Sequence, residues 1–237
     1  MRLTPSGGAS ILDYLLHGHP TVEEDYGVFL GTTYRMHSAA STFISEAVYE
    51  GKLTSDPVND QQVVEVPTEY TGPLNKDAGI IFLPAEHQGN TQASDEEIAV
   101  IAQSVKQLLG RKFTAKDGAQ WPVSWNDILF VAPYNHQVNK LRIALSALPG
   151  GTQAKVGSVD MFQGREAPIV FRSMCTSDAN ESPRGLNFLL DKNRLNVAIS
   201  RAQSLAIIVA NPSLINTPTQ SIGQMKKVNM FCHLVNG

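Results

Sequence analysis

Four short, mainly apolar runs constrain the fold more than any other feature of the chain: 79–83 (GIIFL), 127–132 (DILFVA), 169–174 (IVFRSM) and 205–210 (LAIIVA), of which 79–83 and 205–210 are apolar throughout. They are too short for buried helices. They also lack the apolar–polar alternation of a strand with one wet face, so they read as strands covered on both sides, as in a parallel sheet. Shorter strands are expected at 28–33 and 155–160. Helical segments separate them. Ser38 is expected to cap a helix running to about Glu50, ended by Gly51. Ser94 and Glu97 form the expected capping box of a helix to Leu109, stopped by Gly110. Asn135 is expected to cap a helix to about Leu148, and further helices are expected at 192–202 and 222–234. Strands alternating with helices predict an α/β domain with a mostly parallel sheet and helices on both faces.

The chain's 237 residues suffice for one domain with a substantial core. The expected division is an N-terminal junction with a short helix over 1–27, the helix at 11–16 capped by Ser10, followed by the domain at 28–237. Residues 54–78 read as an irregular connection with short strands, 111–125 as a polar loop or hairpin, and 176–190 as a loop. With 42% hydrophobic and 17% charged residues, the bulk of the chain is not a disordered segment. A net charge of −3 does not advertise a polyanion partner, but a balanced total can conceal a local basic groove. Two solitary cysteines, Cys175 and Cys232, suggest neither a metal pair nor a disulfide framework and fit a reducing, cytoplasmic setting. No apolar run approaches the ~18 residues of a membrane span, so no membrane association is expected.

Three segments carry groups that packing does not require. Residues 32–37 (TTYRMH) follow a strand and set an aromatic beside an arginine: Tyr34 can stack on a base, and Arg35 can fork onto a phosphate. Residues 157–168 (GSVDMFQGREAP) end a strand in a polar turn, where Gly164 permits a positive φ and Gln163 and Glu166 can bond a ribose. Ser158 stands where a hydroxyl could reach a phosphate of a polymer. In 191–203 (DKNRLNVAISRAQ), Leu195, Ala198, Ile199 and Ala202 form an apolar helical stripe, and Arg194 and Arg201 flank it two turns apart. An arginine at the edge of a buried face needs an anion. Open α/β sheets bind ligands at the carboxyl ends of their strands.

Other chemistries are missing from the pattern. There is no G-x-x-x-x-G-K-[ST] phosphate loop, and no G-x-G-x-x-G follows a first strand, which disfavours a dinucleotide enzyme. Asp95, Glu96 and Glu97 read as the dipole-favoured start of a helix rather than as metal ligands. No metal site is expected in this chain.

Taken together, 32–37 followed by FISEAVYEGKL, 131–137 (VAPYNHQ), 156–171 (VGSVDMFQGREAPIVF) and 194–209 (RLNVAISRAQSLAIIV) resemble, in order and spacing, the fourth to sixth motifs of superfamily 1 helicases of the Upf-like/Dna2-like group. Within that group the chain most resembles bacterial helicases fused to a RecB-like nuclease. The resemblance implies a second RecA-like motor domain that lacks its own phosphate loop and is part of a larger protein. It implies Tyr34 on the adenine, Arg35 and Arg201 on the γ-phosphate as catalytic arginines, and Glu166 on the ribose, with Gln163, Gly164 and Arg165 shaping the turn. Pro133, Tyr134 and Ser158 would lie along single-stranded DNA or RNA. ATP with Mg²⁺ is implied, its metal ligands on the N-terminal RecA-like domain that completes the site. Two departures stand out. Arg172 lies within a strand that would more easily bury an apolar residue, and is expected to find an acid or the surface. Gln203 stands where a basic residue is common. The competing expectation is a non-catalytic nucleic-acid-binding or scaffolding module of the same fold.

Overall fold

In a computed structural model, residues 27–236 are described. The helix expected at 11–16, and nearly all of the expected junction, lie outside the described residues. In chain order the elements are β1 (Thr32–Thr33), α1 (Ser38–Tyr49), β2 (Thr54–Ser55), β3 (Val63–Val64), β4 (Gly79–Pro84), α2 (Asp95–Leu108), β5 (Lys112–Thr114), β6 (Gln120–Pro122), β7 (Ile128–Val131), α3 (Asn135–Ser146), β8 (Lys155–Gly157), β9 (Ala167–Ser173), α4 (Gly185–Leu189), α5 (Lys192–Ile199), β10 (Ala202–Ala210) and α6 (Ile222–Asn236). A five-stranded sheet, ordered β4-β10-β9-β7-β8, is parallel throughout. An antiparallel side sheet, β3-β5-β6, contains the hairpin expected at 111–125.

The central strands show why they lack alternation. In β10, Leu205, Ile207 and Val209 enter one core with α2 and α3, while Ala206, Ile208 and Ala210 enter the other with α1, α5 and α6. Both faces are covered, so 205–210 is apolar at every position. This is an α/β fold with a mostly parallel sheet, consistent with a RecA-like helicase domain.

Several local expectations are corrected. Residues 28–31 are not strand: Val28 and Leu30 are 85% and 82% exposed, and only Thr32 and Thr33 find partners, in Thr54 and Ser55. The cap of α1 is His37, whose Nδ1 accepts from the Ala39 N–H at 3.1 Å; Ser38 is the first helical residue. Tyr134 precedes α3 without a side-chain cap, and Asn135 is already helical. The strand expected to reach residue 160 stops at Gly157, and a 3₁₀ turn follows at Asp160–Phe162. The loop at 176–190 contains α4.

The capping box at α2 is half formed. Ser94 Oγ accepts from the Glu97 N–H at 3.0 Å, but the Ser94 N–H donates to Gln137 Oε1 at 2.9 Å. The Glu97 side chain, fully buried, turns instead to the carboxyl end of β9. It accepts from Ser173 Oγ at 2.6 Å, Met174 N–H at 2.9 Å and Cys175 N–H at 2.8 Å, and meets His87 Nε2 at 3.1 Å. These bonds tie α2 to the sheet and hold Cys175 at a left-handed φ of 51°.

Candidate functional site

The singled-out residues occupy two opposite rims of the sheet. Glu166 immediately precedes β9 and Arg201 immediately precedes β10, and the Ala167 N–H donates to the Arg201 carbonyl at 3.1 Å. Their cluster is therefore at the amino ends of the strands, not the carboxyl ends where open α/β sheets usually bind ligands. Pro133, Tyr134 and Ser158 follow β7 and β8 at the carboxyl rim. Residues 158–166 and helix α5 run between the two rims.

At the amino rim, the Arg35 backbone is positioned by its carbonyl, which accepts from Gln62 Nε2 at 2.7 Å, and by the His37 N–H, which donates to the Gln203 carbonyl at 3.0 Å. Arg35 Nε donates to Glu166 Oε2, and its Nη1 donates to the Ser200 carbonyl at 3.2 Å, directly beside Arg201. Arg35 is thus held in an internal ion pair. Among the described residues Arg201 has no such pair: it is 6% exposed, its Nη1 donates to the Arg165 carbonyl at 3.2 Å, and its buried Nε has no hydrogen-bond partner. Burial first, and then the charge of Arg35, hold the Arg201 guanidinium below its ordinary value, with Asp160 pulling the other way. The bond from Arg35 Nη1 to the Ser200 carbonyl sets Arg35 beside the residue that precedes Arg201.

Glu166 also accepts from Gln203 Nε2 at 2.9 Å. Burial raises its pKa, but the bonds from Arg35 and Gln203 and the charges of Arg35 and Lys116 outweigh it and leave the carboxyl below the usual glutamate value. Gly164 has a φ of 77°, and a Cβ there would meet nothing within 4 Å. Its freedom, not its size, lets the turn deliver Glu166 to the rim. The Gln163 and Arg165 side chains are exposed. Tyr34 is 67% exposed, an open aromatic face beside Arg35.

At the carboxyl rim, Pro133, Tyr134 and Ser158 line one polar cleft of about 340 Å³. The Tyr134 ring is buried, 5.7 Å from the Phe188 ring, and its hydroxyl bonds Ser182 Oγ. It shapes the cleft from below and offers no free face.

Arg172 met neither expected fate. It is 1% exposed, and its Nε and Nη1 lack hydrogen-bond partners. Sequence reasoning also missed two contacts. Gln203, noted only as a departure, anchors Glu166. Lys116, at the tip of the β5–β6 hairpin, donates to the Tyr34 carbonyl at 3.3 Å. Nothing in either segment signalled that the hairpin reaches this rim.

Comparison with known proteins agrees with this architecture. A family model described as "AAA domain" matches residues 8–213, and the chain belongs to that family. It is 29% identical over 233 residues to the putative helicase MOV-10 of Gallus gallus, covering 88% of this chain and 24% of that protein. It is 28% identical over 205 residues to the DNA polymerase alpha-associated DNA helicase A of Saccharomyces cerevisiae, covering 80% and 28%. It is 28% identical over 197 residues to the DNA-binding protein SMUBP-2 of Rattus norvegicus, covering 79% and 18%. The chain is a helicase-type domain of the superfamily 1, Upf-like kind, and spans 18% to 28% of the length of these relatives. Among the described residues no helix is long and apolar enough to cross a membrane, and no group of three His, Cys, Asp or Glu is placed to hold a metal ion.

Proposed function

We propose that the chain is the second RecA-like motor domain, 28–237, of an ATP-dependent nucleic-acid helicase or translocase, in an arrangement resembling the bacterial helicases fused to a RecB-like nuclease. An N-terminal RecA-like domain completes the ATP site. The observation that carries the reading is the Arg201 guanidinium: buried, with an unpartnered Nε and, among the described residues, no ion pair of its own. A guanidinium edge without an acid fits a phosphate. Arg35 and Arg201 take the γ-phosphate, Tyr34 stacks on the adenine, and Glu166 turns to the ribose when the incoming phosphate competes for Arg35. Mg²⁺, when bound, would supply charge neutralisation, its ligands coming from the N-terminal domain.

In hydrolysis, water attacks the γ-phosphorus and the bond to the β,γ-bridging oxygen breaks, leaving ADP and phosphate. The arginines offset the charge on the transferred group. An arginine from across a cleft contributes about 10³–10⁵ in rate, or roughly 4–7 kcal/mol. Pro133 and Ser158 lie along a single strand of DNA or RNA. Contacts to its backbone alone make binding independent of sequence.

The second reading, a non-catalytic nucleic-acid-binding or scaffolding module, is favoured by the Arg35–Glu166 ion pair, which occupies one of the two arginines. ATPase assays separate the two. The chain alone should not hydrolyse ATP, and adding a RecA-like domain that bears a phosphate loop should give strand-stimulated turnover. Turnover by the chain alone, or none in the mixture, would refute the motor reading.

A further inference from the structure

The carboxyl rim holds cations for which the nucleotide end has no use. Arg184 and Arg194 both set their guanidinium groups over the Phe188 ring, 4.6 and 4.4 Å from its centroid. Both line the cleft that contains Pro133 and Ser158. The acid facing them is Asp160, 4.0 Å from Arg194 and 81% exposed, too distant and too solvated to neutralise two guanidinium groups.

A third arginine, Arg172, is buried in the sheet. On β9 it stands between Val131 of β7 and Ile208 of β10, both in the apolar core. Arg194, a residue of the cleft wall, is among the charges that act on it. Burial first lowers its pKa to about 10, so it stays charged near neutrality. Glu97 and Cys175 also face it, but the Glu97 carboxylate bonds Ser173, Met174, Cys175 and His87, and burial pushes the Cys175 thiol up, keeping it neutral. A buried cation with unpartnered N–H groups destabilises a fold unless an anion comes near. Two further cations held on one aromatic ring in the cleft wall give an anion a place.

We propose that Arg184 and Arg194, held on Phe188 in the cleft wall, form a seat for a phosphodiester of the nucleic-acid strand. The seat rests on the nucleic-acid reading above and adds a charged subsite to it. Ser158 and Pro133 line the same cleft, which suits one link of a chain.

The test is the affinity of the full chain for labelled single-stranded DNA and RNA oligonucleotides over a range of KCl concentrations. Arg184 is exposed, so Arg184→Ala leaves the fold intact. It should weaken binding several-fold and reduce the log–log salt slope by about 0.7, the loss of one single-strand phosphate contact. Arg184→Lys should keep the slope. Arg172→Met should weaken binding in the same direction while the melting temperature holds or rises, where a purely structural arginine would lower it. Wild-type slope and affinity in both variants would overturn the seat and leave the helicase reading standing. A wild-type chain with no salt-dependent strand binding would overturn both. Displacement of the strand by inorganic phosphate beyond its ionic-strength effect would show a free-anion site and overturn the phosphodiester assignment.

Discussion

The two rims of one parallel sheet treat charge in opposite ways. At the amino rim, Arg35 and Glu166 pair across half-exposed side chains, 37% and 44% accessible. Such a pair contributes little to stability and is easily exchanged for a ligand. At the carboxyl rim the acid and the base are both buried, yet they do not bond each other. Glu97 binds backbone N–H groups, and Arg172 is left with unpartnered nitrogens. The first arrangement can open; the second is a fixed platform. Asp160 lies between them, 4.0 Å from Arg194 and acting also on Arg201. The segment 158–166 therefore connects a replaceable charge pair at one end to a rigid anion-seeking surface at the other.

The contrast can be broken most severely at Arg201. In the motor assembled with its phosphate-loop domain, Arg201→Ala should lower kcat by about 10³–10⁵ and leave strand affinity without nucleotide near wild type. A parallel loss of strand affinity would erase the distinction between the rims. Next in size is Glu97→Ala. It strands buried donors of Ser173, Met174 and Cys175, so unfolding free energy by urea titration should fall by about 3–5 kcal/mol. An equal loss from Glu166→Ala would show that the amino rim is not the exchangeable one.

Glu166→Gln should raise KM for ATP roughly tenfold with little change in kcat, since a ribose contact acts equally on the bound and transition states. The smallest effect is on pH. The folded-state pKa of Glu166 lies below its ordinary value. Its contribution is present above the unfolded glutamate pKa and is lost as pH falls through the folded one. Carboxyl NMR should show Glu166 titrating below an ordinary glutamate, and a pKa at or above the usual value would mean the pair does not persist in solution.

The sheet was legible because its strands are covered on both faces, a condition written directly into 79–83, 127–132, 169–174 and 205–210. Short elements were not legible. Residues 28–31 look like a strand, but strand formation depends on a partner that the local sequence does not record. Glu97 looked like a capping residue because its spacing from Ser94 is local, whereas its actual bonds reach 76–78 residues away. At the amino rim, the turn containing Gly164 and the helix flanked by Arg201 pointed to an anion site. The counter-charge on Arg35, the anchoring by Gln203 and the reach of Lys116 arise from contacts between segments tens of residues apart or more. Arg172 was visible as an anomaly, but only the folded chain shows that its neighbours supply no acid within bonding reach.

The central claim is that Arg35 and Arg201 share one anion between them. It is tested most directly by arginine Nε–H NMR of the assembled motor, comparing ADP with ADP plus a γ-phosphate transition-state mimic. The account predicts that the mimic shifts the Arg201 and Arg35 Nε–H signals together and slows their exchange with water, with ADP alone leaving Arg201 unmoved. An Arg201 signal indifferent to the mimic, with Arg35 still paired to Glu166, would contradict it.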